Sequence, residues 1–375
     1  MIRPENFYKW LIGNQVDFFC GVPDSLLKDI CAYITDNAPA NKHVITANEG
    51  NAIALAAGYQ MATGNIPLVY MQNSGIGNAV NPLLSLTDKQ VYCIPILLMI
   101  GWRGEPGIND EPQHVTQGEV MLDLLKAMHI PFLILSEDEN EASLQVNNAL
   151  SEIKSTNHPF AFVVRKGVFN AYKIKNIQKI PYELSREDAI KHVVNKLDGS
   201  EVIVSTTGKT SRELFECREE LNHPHFSDFL TVGCMGHANQ IALGIALTKP
   251  DKKVICIDGD GALIMHMGSL AINGKMAPNN YIHIVINNGA HESVGGQPTV
   301  GFDLDITALA LACNYKTALS VSTSNELDNA LDSIHAESCP TLIEVKVRMG
   351  SRDNLGRPTI KPIDNKKDFM KNLKS

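Results

Sequence analysis

Short apolar runs recur along the chain with helix-like stretches between them, and this alternation limits the fold more than any other feature. The runs are VITA (44–47), PLVYMQ (67–72), YCIPILLMI (92–100), PFLIL (131–135), FAFVV (160–164), EVIVS (201–205), KVICI (253–257), IHIVI (282–286) and TLIEVKV (341–347). Their Val, Ile, Leu and Phe are continuous rather than alternating with polar residues. That is the pattern of strands buried on both faces, which occur in parallel sheets covered by helices. Strands alternating with helices predict an α/β fold built on parallel sheets.

A length of 375 residues suits two such domains. The join is visible as NAYKIKNIQKIPYE, a polar, basic stretch without a clear period (170–183). Just after it, Ser185-Arg-Glu-Asp188 has the spacing of a capping box opening a helix. The expected organisation is a first domain over 1–170, a linker over 171–185 and a second domain over 186–375. The halves echo each other. NAIALAAGYQMATGNIPLVYMQNSGIGNAVNPL (51–83) and NQIALGIALTKPDKKVICIDGDGALIMHMGSL (239–270) follow one plan. Each runs from Asn through a small-residue helix and a buried strand to a Gly-rich turn and a second helix. Two similar α/β units suggest duplication, with a site built between them.

The formal net charge is −8 and there is no long basic run, so a nucleic-acid partner is not expected. The N-terminal MIRPENFYKWLIGNQ lacks the apolar core of a signal peptide. The longest apolar run, VYCIPILLMIGW (91–102), is too short to span a bilayer and contains Pro95. Eight cysteines form no C-x-x-C pair, which is the pattern of reduced intracellular thiols. The expectation is a cytoplasmic protein with neither a membrane nor a nucleic-acid partner.

The turn after KVICI raises a chemical problem. Gly259-Asp260-Gly261 joins a strand to a helix, where main-chain N–H groups favour an anion such as phosphate. The Asp260 carboxylate would repel one. The dinucleotide fingerprint G-x-G-x-x-G fails, because GDGALI ends in Ile264 and GIGNAV in Val80. A P-loop ending at Gly208-Lys209-Thr210 fails as well, because Ile203 stands where its first glycine belongs. A magnesium ion resolves the conflict by bridging the carboxylate to a diphosphate, since Mg²⁺ takes hard oxygen ligands and commonly keeps phosphate oxygens among them. A second protein oxygen is then expected at the end of the next strand, where Asn287-Asn288 stand.

GDG, a gap of 25 residues, then NN closing a strand is similar to the motif of the thiamine diphosphate-dependent decarboxylase family. The resemblance covers nearly the whole chain. It implies two thiamine diphosphate-binding-fold domains, the first for the pyrimidine and the second for the diphosphate. It implies Mg²⁺ held by the Asp260 carboxylate, the Asn288 amide oxygen and the main-chain oxygen of Ala290. Glu49, in TANEGNAIALAAGY, stands where the family carries the glutamate that hydrogen-bonds N1′ of the aminopyrimidine. In Gly233-Cys234-Met235-Gly236, Met235 would support the bent cofactor and the Gly233 carbonyl would accept from its 4′-amine. Thr207, Gly208, Lys209, Gly259, Gly261 and Ala262 complete the expected cofactor contacts, with further main-chain donors near His291–Ser293.

No middle domain fits between the halves, which resembles the short branch of the family acting on phosphonopyruvate and sulfopyruvate. The supporting segments include GVPDSLL (21–27), GWRGEPGINDEPQHVTQG (101–118) and NNGAHESVGGQPT (287–299). The implied reaction is decarboxylation of 3-phosphonopyruvate to phosphonoacetaldehyde and CO₂ in phosphonate biosynthesis, with sulfopyruvate the alternative substrate. A dianionic substrate needs cations, and Arg103, Lys209 and Arg212 are the candidates. His114 and His237 are candidate proton carriers near neutral pH. Asp24, in GVPD, is a candidate acid or base. Val294 stands where longer relatives carry a glutamate six residues after the second Asn, and Glu292 is not given that role. The resemblance also implies a homo-oligomer with sites at subunit interfaces. The rival from another class is an inert cofactor-binding subunit, which the presence of Glu49, Asp260 and Asn288 argues against.

Overall fold

The computed structural model describes residues 1–175 and 180–374. Two compact units divide the chain. One is Met1–Ile177 with Ser293–Gln297, and the other is Gln178–Glu292 with Pro298–Ser375. The expected linker, 171–185, includes residues 176–179, which lie outside the described residues.

The first unit holds strands β1 (Phe19–Gly21), β2 (His43–Ile45), β3 (Leu68–Gln72), β4 (Leu97–Gly101), β5 (Phe132–Ile134) and β6 (Phe160–Val164). They form one parallel sheet in the order β2-β1-β3-β4-β6-β5. Successive side chains of a strand point to opposite faces. One core therefore gathers Tyr70, Leu97, Met99 and Phe162, and the other gathers Val69, Leu98, Ile100 and Val163. Helices cover both faces, which is why the strands read as continuous apolar runs.

The second unit holds β7 (Val202–Ser205), β8 (Asp228–Leu230), β9 (Val254–Gly259), β10 (Tyr281–Asn287), β11 (Thr317–Val321) and β12 (Thr341–Lys346). Its parallel sheet runs β8-β7-β9-β10-β12-β11. Counted from the first strand of each unit, the two orders are the same. The sequence echo is thus a repeat of topology. The helix Glu49–Thr63 leads into β3 as the helix Ala238–Thr248 leads into β9.

Three of these strands, β1, β8 and β11, have no counterpart among the expected runs. The run at 92–100 was expected to be extended throughout, yet β4 begins only at Leu97. Pro95 cannot donate to a ladder, and Cys93 has a positive φ of 54°. The capping box at Ser185 is present: its hydroxyl accepts from the Asp188 N–H at 3.1 Å, and the Asp188 carboxylate accepts from the Ser185 N–H at 2.9 Å.

In each sheet the connection reverses direction next to the first strand. In open parallel sheets a crevice for ligands opens at the carboxyl ends of the strands beside such a reversal. The reversal lies between β1 and β3 in the first unit and between β7 and β9 in the second.

Candidate active site

In the first unit, Glu49 opens a helix just after β2. Asn48 caps that helix, its side-chain oxygen accepting from the Asn51 N–H at 2.9 Å. Glu49 is buried, and its Oε2 accepts from Asn78 Nδ2 at 2.7 Å. Gly75, in the turn after β3, makes this placement possible: a Cβ there would lie 2.2 Å from Glu49 Oε1. The turn residue Asn73 reaches across to the end of β4, donating to the Arg103 carbonyl at 2.7 Å and accepting from its N–H at 3.2 Å.

Asp24 follows β1 and is fully buried. Its Oδ2 accepts from the Leu26 N–H at 3.0 Å, while Oδ1 meets no hydrogen-bond donor among the described residues. Burial pushes its carboxyl up to about 6, against the opposing pull of nearby main-chain donors and Arg103. Gly101 gives it room, because a Cβ there would lie 2.0 Å from Asp24 Oδ2.

Arg103 stands at the carboxyl end of β4. Its Nε donates to Asp110 at 2.8 Å, a second guanidinium nitrogen also binds Asp110, and a third donates to Ser25 Oγ at 2.8 Å. The guanidinium hydrogen bond holds the Asp110 carboxyl well below the usual range. His114 is buried at the foot of the same loop, its Nδ1 meets no partner among the described residues, and burial lowers its pKa. The loop is pinned at its base. Trp102 Nε1 donates to the Gly118 carbonyl at 2.9 Å, and a Cβ on Gly118 would lie 1.7 Å from the Gly104 oxygen.

In the second unit, Gly259-Asp260-Gly261 closes β9 and Asp260 begins a short helix, Asp260–Met265. Asp260 is buried, and burial raises its carboxyl to about 6. Among the described residues its partners are neutral, and they include the Thr299 hydroxyl and the main-chain N–H groups of Asn288 and Gly261. Gly301 leaves space beside it, because a Cβ there would lie 2.7 Å from Asp260 Oδ2.

Asn287, the last residue of β10, and Asn288, which follows it, differ. Asn287 is bound at both ends, donating to the Gly301 carbonyl at 2.8 Å and to Glu344 at 2.7 Å and accepting from the Gly289 N–H at 3.1 Å. Asn288 donates to Glu292 Oε2 at 2.9 Å, and its amide oxygen accepts only the Ala290 N–H, at 3.1 Å, among the described residues.

The remaining expected residues surround the same end of the second sheet. Thr207 Oγ1 accepts from the Gly233 N–H at 2.8 Å. Gly208, at φ 93°, leads into a helix that Lys209 opens. Met235 is half-buried, and its methyl lies 3.4 Å from where a Cβ on Gly261 would stand. Ala262 is buried on the helix that follows Gly261. His237 is exposed; its Nδ1 faces the Met235 carbonyl at 3.1 Å, and its ring lies 4.4 Å from that of His266. A carbonyl only accepts, so Nδ1 carries the proton there.

All three cations expected to meet substrate already have partners: Arg103 is held by Asp110 and Ser25, and the other two are held within the second unit. Lys209 Nζ donates to Glu292 at 2.9 Å and to Ser351 Oγ at 2.7 Å. Arg212 donates from Nε to the Gly356 carbonyl at 2.6 Å and also to the Leu355 carbonyl. The sequence reading did not single out Asn73, Asn78, Asp110 or Thr299, although each holds one of the expected residues.

These donor sets fit the expected groups. A buried carboxylate with neutral partners, an amide oxygen with one bond and a turn kept clear by Gly301 suit a hard cation such as Mg²⁺. A buried glutamate with one engaged oxygen, the other facing a side-chain-free glycine, suits a hydrogen bond to a ring nitrogen.

The comparisons define the class first. Residues 5–147 match the family model described as "Thiamine pyrophosphate enzyme, N-terminal TPP binding domain". Residues 206–345 match "Thiamine pyrophosphate enzyme, C-terminal TPP binding domain". Full-length relatives narrow this further. A phosphonopyruvate decarboxylase of Streptomyces viridochromogenes is 33% identical, covering 97% of this chain and 93% of that protein. One from Streptomyces hygroscopicus is 32% identical over 96% and 92%. A sulfopyruvate decarboxylase of Methanosarcina acetivorans is 28% identical over 96% and 94%. The chain belongs to the thiamine pyrophosphate-dependent decarboxylase family that these relatives represent.

Proposed function

We propose that the chain decarboxylates 3-phosphonopyruvate to phosphonoacetaldehyde and CO₂, with thiamine diphosphate and Mg²⁺, in phosphonate biosynthesis. The observation carrying this reading is the 33% identity to a phosphonopyruvate decarboxylase over nearly the full length of both chains.

Asp260, Asn288 and the Ala290 carbonyl would hold Mg²⁺. Thr207, Gly208, Lys209 and the turn Gly259–Ala262 would meet the diphosphate. Gly233 and Met235 would meet the rings, and Glu49 would hold a proton at N1′ of the pyrimidine. When bound, the thiazolium supplies the electron sink that a carbon–carbon bond beside a ketone needs before CO₂ can leave. The rest falls to this chain. Arg103 orients the substrate anion, with Asp110 and Ser25 fixing the guanidinium plane. Asp24 and His114, both buried and each with a polar atom that has no partner among the described residues, move a proton at the reacting carbon. Burial helps, because charges act more strongly where water is excluded.

The 28% identity to a full-length sulfopyruvate decarboxylase supports a second reading, sulfopyruvate to sulfoacetaldehyde. We further propose a cytoplasmic homo-oligomer in which Glu49 of one subunit completes the site of another. A fully active monomer in sedimentation would contradict that.

The test follows phosphonopyruvate by ³¹P NMR with thiamine diphosphate and Mg²⁺ present. A phosphonoacetaldehyde resonance that requires both additions, and is lost in Asp260→Ala, is expected. Cofactor-independent turnover would overturn the reading.

A further inference from the structure

A charged cluster lies behind the proposed metal ligands of the second unit. Arg186, on the helix Arg186–Asn195, is buried and binds Glu213 with two parallel bonds of 2.6 and 2.7 Å. Its third nitrogen donates to Glu292 Oε2 at 2.9 Å. Lys209 donates to the other oxygen, Oε1, at 2.9 Å. Glu292 Oε2 also accepts from Asn288 Nδ2 at 2.9 Å. One carboxylate thus joins a buried arginine, a lysine and the side chain of Asn288, the first residue past β10.

We infer that Glu292 is a positioning residue that fixes the Asn288 amide with its oxygen turned toward the metal site. The reasoning is chemical. An ionised carboxylate only accepts, so it must face the NH₂ end of the amide and the oxygen must face the other way. Without Glu292 the amide orientation rests on the single Ala290 N–H bond, and a flipped amide offers a cation an N–H₂ group instead of a lone pair. Glu292 is held in turn. Arg186 is clamped from behind by Glu213, so the guanidinium that binds Glu292 has little freedom. Arg186, Lys209 and the Asn288 amide all donate to this one carboxylate, so its oxygens serve as acceptors. Partners that orient a metal ligand typically change metal affinity 10–100-fold when removed.

This inference rests on the reading of Asn288 as a metal ligand, and the experiment separates the two. Calorimetry measures thiamine diphosphate binding to the full chain over a series of Mg²⁺ concentrations, for the wild type and for Asn288→Ala, Glu292→Gln and Glu292→Asp. Glu292→Gln is expected to raise the half-saturating Mg²⁺ concentration at least about 10-fold, while cofactor affinity recovers at saturating Mg²⁺. A merely structural role would weaken cofactor binding at every Mg²⁺ concentration. Glu292→Asp keeps Arg186 and Lys209 neutralised, and so remains folded even where the Gln variant does not. Its shorter reach is expected to raise the Mg²⁺ requirement in the same direction. A wild-type Mg²⁺ requirement in the folded Asp variant, or in both, overturns the inference. If Asn288→Ala also leaves the requirement unchanged, the metal-site reading itself falls; if only the Glu292 variants do, the inference falls alone.

Discussion

Gly75 and Glu49 show how much of the site depends on single atoms. The Glu49 carboxylate occupies the space that any side chain at position 75 would need. Gly75→Ala is therefore expected to displace Glu49 while leaving the sheet intact. Misplacing a catalytic group by about an ångström can cost about 100-fold, so decarboxylation should fall by about that factor. Glu49→Gln should fall at least as far, since it removes the proton carrier. Steady-state rates alongside circular dichroism check both, and near wild-type rates in either would contradict the role given to Glu49. Asp24 gives a prediction about stability. Its carboxyl rises from 3.8 to about 6 on folding. A group raised in the native state favours folding when protonated, so its contribution is complete below about pH 4 and lost as pH rises through about 6. The charged form then costs roughly 2–3 kcal/mol. Asp24→Asn should remove that loss, so the variant should be the more stable protein at pH 7 and should show a flatter stability profile between pH 4 and 7. Denaturant midpoints across that range check it, and a variant less stable than wild type at pH 7 would contradict it.

At the scale of elements, the loop after β4 is the clearest case of a functional segment held by backbone fit. Gly118, in the helix Pro112–Ala127, lies so close to Gly104 that a methyl group cannot enter. Gly118→Ala is expected to cost about 1–3 kcal/mol by overpacking and to shift the loop that carries Arg103 against the helix that carries His114. Thermal unfolding reads the first effect, and the substrate KM reads the second. Unchanged values for both would show that the loop does not depend on this contact. The elements also explain what sequence could and could not reveal. FAFVV forms β6 over the same five residues, 160–164, because a strand buried on both faces is continuously apolar. β8 escaped because its first residue is Asp228, a buried charge that Arg218 binds with two bonds of 2.9 Å. β11 escaped because TALSV lies at a sheet edge and is largely half-buried, so it has no apolar run. β1 escaped because Phe-Cys-Gly is too short to carry a pattern.

At the scale of the whole molecule, the two units share one strand order, and each gathers its candidate residues at the carboxyl ends of its strands. The residues of GDG and NN were legible because main-chain turns fix their spacing along the chain. The residues that hold them were not. Thr299 reaches Asp260 over 39 positions and Arg186 reaches Glu292 over 106, separations at which no local pattern exists. The substrate is the claim on which the account turns, and the measurement that tests it most directly is CO₂ release from phosphonopyruvate, sulfopyruvate and pyruvate side by side. Each would be assayed with and without thiamine diphosphate and Mg²⁺. The account predicts release that requires both additions and is at least about 10-fold more efficient, as kcat/KM, with phosphonopyruvate than with either rival, a difference of about 1.4 kcal/mol in transition-state binding. Preference for sulfopyruvate would contradict the substrate while leaving the cofactor site standing, and the absence of release from all three would contradict the account as a whole.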